Sequence, residues 1–292
     1  NAVTTLMSGN QYDVFRVSNG AKLSITGNTI NGAGNTAIKV ASKSTADITA
    51  NIFKGEISYN AIGVEDSTAN VCRNTFTEGS IGNIAIYFIG SKGTINTNTI
   101  STAKVRPIGV WNNSSVTQIV GNNVTGGRSQ GIYVLNSSVG EINGNTVTAS
   151  GAEGIGISGG SASVGNIVLN NVNKAGTEGI RVGEGAVVTN IGGNSSAGNI
   201  VTASVGSGIF VGASQVTNIS YNTIDTAGST SIRVASAVSK ANITNNTVSN
   251  GKEKGIYAFG SEIVITSNKI NKSASTACLL YTSPSPRDAT LS

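Results

Sequence analysis

The sequence predicts an all-β fold: a single-stranded parallel β-helix, or solenoid, of about 11 coils of 22–25 residues each. Three observations carry that prediction. An asparagine returns every 23 to 24 residues along most of the chain. Short apolar alternations of period two accompany it at fixed offsets, and nothing recurs with helical periodicity over ten or more residues. Gly, Asn and Ser separate these short runs, so stacked coils, with like strands about 4.8 Å apart, satisfy the pattern where hairpins do not.

The asparagine element comes first. Its series is Asn28, Asn51, Asn74, Asn98, Asn122, Asn145, Asn170, Asn194, Asn222, Asn246 and Asn268. An aliphatic residue stands three places before most of these and an apolar residue two places after, as in Ile25, Asn28, Ile30 and in Ile95, Asn98, Ile100. Asparagine tolerates left-handed backbone and bonds to nearby amides, which suits a sharp corner between strands. Stacked amides would also bond one another, giving a structural ladder.

The second element is a small residue followed by an apolar pair around one outward position. Ala37, Ile38, Lys39 and Val40 show it, as do Gly131, Ile132, Tyr133 and Val134. Its leading apolar residues fall at Phe15, Ile38, Ile62, Ile86, Ile108, Ile132, Ile155, Ile180, Ile209, Ile232 and Ile256. The small residue before each is expected at another tight corner, and Pro107 takes that place once. About four branched side chains per coil then point inward, supplying on the order of 6–12 kcal/mol. Ordering a coil costs at least as much, so one coil fails alone and neighbours must share packing. A rod of roughly 50 Å follows.

With both elements in place, the chain resembles the right-handed parallel β-helix repeat proteins of the pectin-lyase-like superfamily over residues 12 to 275. Right-handed winding agrees with the general hand of parallel connections. The resemblance implies a fold that serves pectinases, polysaccharide lyases, epimerases, tailspikes and adhesins, and it leaves the activity open among them.

Composition narrows the choice. The 292 residues carry 38% apolar content, 38 glycines, three prolines and only 11% charged residues, with a net charge of +5 that forms no basic tract. A nucleic-acid groove would need a positive stripe with interleaved aromatics, so no nucleic-acid partner is expected. No apolar run is long enough to span a bilayer. The two cysteines, Cys72 and Cys278, make no disulfide framework or metal motif. Histidine is absent, which removes the commonest acid–base group and metal ligand. No cofactor or metal is expected.

The segment from Cys278 to Asp288 resembles the translation of a transposase-based sequencing adapter. That likeness implies a metagenomic fragment: a β-helix domain over 1–277, truncated at both ends, and a non-native tail over 278–292 that packs poorly.

Two sets of residues could carry function. Glu153 and Glu178 hold matching places before corner glycines in adjacent coils, with Arg181 three residues beyond Glu178. They are the alternative catalytic set, since a hydrolase needs paired carboxylates and a lyase needs a base with a cation. The outward position of the second element offers a binding column: Tyr133, Arg181, Phe210, Arg233 and Tyr257. Aromatic rings pack against pyranose faces and arginines fork onto oxygens. The longest interval, from Asn194 to Asn222, is expected to extrude a loop near Phe210. A threonine column after the asparagines (Thr29, Thr75, Thr99, Thr146, Thr223, Thr247) is too interrupted for an ice-binding array. The expected function is an extracellular or cell-surface structural and adhesive rod, bacterial or phage, that binds polysaccharide along one face. The alternative is a polysaccharide lyase or glycoside hydrolase.

Overall fold

The computed structural model describes residues 5–6, 13–101 and 103–282. Every named element is a strand, and every pairing between strands is parallel. One coil is represented by Thr29–Ala33, Ile38–Val40 and Thr45–Thr49. The first strand of each coil stacks into a 13-stranded sheet, and the other two stack into a 21-stranded sheet with two columns. The fold is the parallel β-helix of about 11 coils that the period requires.

The register follows the sequence repeat closely. Ile38 pairs with Ile62, Ile62 with Ile86, Ile86 with Ile108, and so on through Ile132, Ile155, Ile180, Ile209, Ile232 and Ile256. These isoleucines are buried, as are Ile25, Ile30, Val40 and their equivalents along one continuous core. Phe53 and Phe76 stack inside at 4.4 Å between ring centroids and 13° between planes.

The asparagine ladder forms, with one correction. Each ladder Nδ2 donates to the next coil's Oδ1 at 2.9–3.0 Å, from Asn28 through Asn51, Asn74, Asn98, Asn122, Asn145 and Asn170. The next rung is then Asn199, not Asn194; Asn170 donates to Asn199, and Asn199 to Asn222. Asn194 is exposed and accepts the Ser196 amide and hydroxyl, closing its own loop. Asn199 has inward Val201 two residues later, whereas Asn194 has Ser196. The apolar partner fixes the rung. The ladder continues through Asn246 to Asn268.

The corner chemistry also differs from expectation. The left-handed residue is the one before the asparagine: Gly27, Ala50, Arg73, Thr97, Gly121, Gly144, Leu169, Tyr221, Asn245 and Ser267 all have positive φ. The asparagine itself supplies the hydrogen bonds. Its Oδ1 accepts both the backbone amide and the Nδ2 of the preceding rung, as Asn51 does for Asn28. Its Nδ2 also reaches a backbone carbonyl, as Asn51 reaches Ile25 O at 2.7 Å. The small residues before the isoleucines are small because the core leaves them no room. A Cβ on Gly131, Gly154 or Gly179 would lie 2.2–2.3 Å from a methyl of Val147, Val172 or Val201.

A shorter serine ladder lines another corner, where the Ser44, Ser67, Ser91 and Ser114 amides donate to the Oγ of Ser67, Ser91, Ser114 and Ser137. Residues Cys278–Thr282 form a strand in register with Ile256–Gly260, and Cys278 takes the isoleucine place with an exposed side chain. The rest of the expected tail, 283–292, lies outside the described residues.

Candidate functional site

The outward column is assembled as the period requires. Tyr133 pairs with Gly156, Gly156 with Arg181, Arg181 with Phe210, Phe210 with Arg233, and Arg233 with Tyr257. Five rungs separate Tyr133 from Tyr257, about 24 Å along the rod.

Cations and rings alternate along it. The Arg181 guanidinium lies 5.5 Å from the Phe210 ring centroid, and Arg233 stands 5.5 Å from Phe210 and 5.9 Å from Tyr257. Lys254 adds a charge 5.8 Å from Tyr257. At the exposed end a cavity of about 230 Å³ is lined by Thr230, Arg233, Glu253, Lys254 and Tyr257. Each such contact contributes about 0.5–1 kcal/mol at an exposed site, so the stripe holds its side chains in place and still presents cations and ring faces outward.

The rings need flat seats, and glycines provide them. A Cβ on Gly212 would come within 2.6 Å of the Phe210 ring, and one on Gly109 within 2.1 Å of Trp111. Rings laid flat on the strands expose a face, the geometry that suits stacking against another ring.

The acidic pair is brought together only at the backbone. Gly131 N donates to Glu153 O and Gly154 N to Glu178 O, so the two glutamates sit on adjacent rungs. The Glu153 carboxylate, however, is paired with Arg181 Nη1 at 3.7 Å and is nearly covered. Glu178 forms no ion pair among the described residues. Arg181 thus serves the column and anchors Glu153 rather than Glu178. No group of three His, Cys, Asp or Glu side chains that could hold a metal occurs among the described residues.

Sequence reasoning missed Arg106 and Trp111. Arg106 is wedged between the rings of Trp111, 5.3 Å away, and Tyr133, 4.7 Å away, and its Nε donates to Gln130 Oε1 at 3.1 Å. Burial lowers its pKa, while the neighbouring Tyr133 and Glu153 act the other way. The available signal was the alternation of glycine with bulky residues: Gly63, Tyr87, Gly109, Tyr133 and Gly156 follow one another in the column.

The expected loop lies elsewhere. The extra residues, 193–198, join Val187–Gly192 to Ile200–Thr202 at the asparagine corner. A Cβ on Gly193 or Gly198 would meet Ala197, Val168 or Tyr221. The loop therefore adds no wall beside Phe210.

The family comparison agrees with the architecture. A family model described as "Right handed beta helix region" matches residues 13–173 and 108–291. A solved structure of a mutant periplasmic alginate epimerase is similar over 92% of this chain and 74% of that one, at 12% identity and a TM-score of 0.44. No curated protein matches the chain.

Proposed function

Starting from a chain that belongs to the right-handed β-helix family, we propose that it is a rigid structural and adhesive rod, extracellular or on the surface of a bacterium or phage, that binds polysaccharide along one face. The contact residues are Tyr133, Arg181, Phe210, Arg233 and Tyr257. The observation that carries this reading is their register, which places alternating cations and flat rings on successive rungs. A polymer with a regular ring repeat meets a protein surface with a regular rung repeat, and many weak contacts add along the axis. Affinity of this kind needs no deep cavity.

A glycan array compares the wild type with the Phe210→Ala/Tyr257→Ala double variant. The proposal expects polysaccharide signals from the wild type and a loss of at least about tenfold in the variant. Equal signals would remove this face from consideration. The rival reading, a polysaccharide lyase or glycoside hydrolase working through Glu153, Glu178 and Arg181, needs turnover that disappears in Glu178→Ala or Arg181→Ala. Release of unsaturated products or new reducing ends by the wild type, lost in both variants, would replace the rod reading with an enzymatic one.

A further inference from the structure

Two rungs before Tyr133 on the same column, a second cavity of about 140 Å³ is lined by Tyr87 and its neighbours. Tyr87 lies along its floor, pressed onto Gly63 so closely that a Cβ there would come within 2.4 Å of the ring. Tyr59, Asn60 and Asn83 line one side, and Trp111 lines the other. Tyr59 is 52% exposed, and the Tyr87 and Trp111 rings stand 6.4 Å apart at 47°. The rings form an open, angled trough.

Its polar groups are matched unevenly. The Tyr87 hydroxyl donates to Glu65 Oε1 at 2.6 Å, and Lys39 Nζ holds Glu65 Oε2 at 3.1 Å. Those groups are paired with one another and fix the floor. The amides are not. Asn60 is almost wholly buried; its Oδ1 accepts the Ile84 amide at 3.1 Å, and its Nδ2 has no partner among the described residues. Only Ser44 Oγ and Ser231 Oγ are sealed without a partner among those residues, so the Asn60 nitrogen opens into the cavity it lines. The side-chain amide of Asn83 also has no partner among the described residues. Amide groups that open into a cavity bond water there and exchange it for a ligand hydroxyl.

From this geometry we infer that the trough is a binding subsite for one neutral pyranose ring of a glycan. The volume holds on the order of five waters, room for a single six-membered ring. Tyr59 and Trp111 stack on the apolar face of such a ring above the Tyr87 floor, which is only 5% exposed, while the Asn60 and Asn83 amides bond its hydroxyls. Charge decides against the other ring-seeking ligands. Glu65 is neutralised by Lys39 and does not attract an organic cation, and Arg106 is committed to Trp111, Tyr133 and Gln130 and does not attract a carboxylate. The subsite is independent of the five-residue column, which is cationic.

The chain has one tryptophan, and it lines the trough, so intrinsic fluorescence reports occupancy directly. Purified protein is titrated separately with neutral tetrasaccharides of glucose, galactose and mannose, with tetragalacturonate, and with choline chloride. A saturable change with at least one neutral tetrasaccharide and none with the charged probes is expected. Affinity should fall at least about tenfold in Tyr59→Ala and in Asn83→Ala, two substitutions at the rim that leave the ladders intact. The Phe210→Ala/Tyr257→Ala variant should respond like the wild type, so failure of the column and failure of the trough are separable. Silence with all three neutral probes overturns the inference, as does an equal response to tetragalacturonate or choline, or an unchanged affinity in the two rim variants.

Discussion

An interior ladder asparagine such as Asn122 stabilises through four side-chain hydrogen bonds rather than through its own backbone conformation. Removing Asn122 leaves Asn98 N and Nδ2 without an acceptor and takes donors from Ile95 O and Asn145 Oδ1. At about 1–3 kcal/mol for each buried group left unmatched, partly relaxed, Asn122→Ala should cost at least about 3 kcal/mol in chemical denaturation. Asn194→Ala should cost under about 0.5 kcal/mol, since its bonds serve only an exposed loop. Equal costs would contradict the rung assignment. The left-handed residue beside the ladder gives a test of opposite sign. Ala50 has φ of 55°, where a Cβ costs about 1–2 kcal/mol and glycine's entropy returns part of that. Ala50→Gly should therefore stabilise, by about 0.5–1 kcal/mol in the same assay. Tyr87 and Glu65 set a pH dependence at two ends. Burial and the bond to Glu65 raise the Tyr87 pKa above its ordinary value, so its contribution is present below about pH 10 and lost as pH rises. Burial alone would raise Glu65, but bonds from Tyr87 and Lys39 and the charges of Lys39 and Arg16 outweigh it and lower the pKa. That contribution is present above about pH 4.3 and lost as pH falls. Phenolate absorbance should show one tyrosine resisting ionisation in the native protein, and Tyr87→Phe should abolish that late fraction.

At the scale of the strand and its corner, what was legible depended on whether a signal repeated. The isoleucine column and the outward column were legible because side chains on one face of a strand keep their face at every rung. The corner mechanism was not, because a single-sequence pattern shows which residue recurs and not which residue bears the positive φ. The Asn194 error has the same root: Ile191 and Asn194 reproduce the first half of the motif, and only inward Val201 identifies Asn199 as the rung. Arg106 and Trp111 lie outside the repeating columns, opposite Ile84 and Ile89, so only the glycines that make room for the rings beside them leave a trace in the repeat. The glycines before the isoleucines show how packing can imitate a turn requirement. Gly179 needs no left-handed backbone; it needs the space that a Val201 methyl fills 2.2 Å from where its Cβ would lie. Gly179→Ala should destabilise by about 1–3 kcal/mol. Adding Val201→Ala should recover part of that loss, and only part, because Gly208 O also stands 2.6 Å away. A double variant no better than the sum of its singles would argue against this contact.

Over the whole molecule, the described coils bond to the coil before and the coil after, through three strand columns and the side-chain ladders of the corners and outer face. Long-range stiffness then comes from short-range links, and so does the spread of any damage. In a stack of this kind stability is a sum of coil terms and neighbour-interface terms, so a lesion weakens nearby coils more than distant ones. Asn122→Ala removes bonds to the coils of Asn98 and Asn145 and leaves those of Asn199, Asn222 and Asn246 untouched. Hydrogen exchange of the native protein should therefore show the largest loss of amide protection in the coils between Asn74 and Asn170. Protection should decline little between Asn222 and Asn246, because that segment opens through its own weaker interfaces first. A uniform loss along the rod would mean that the coils unfold as one cooperative block, and nearest-neighbour coupling would then be too strong to isolate any single rung. The graded result would also explain how a face can bear single-coil features such as Trp111 and Arg106: in a stack that tolerates local change, one coil can vary while the register of the others holds.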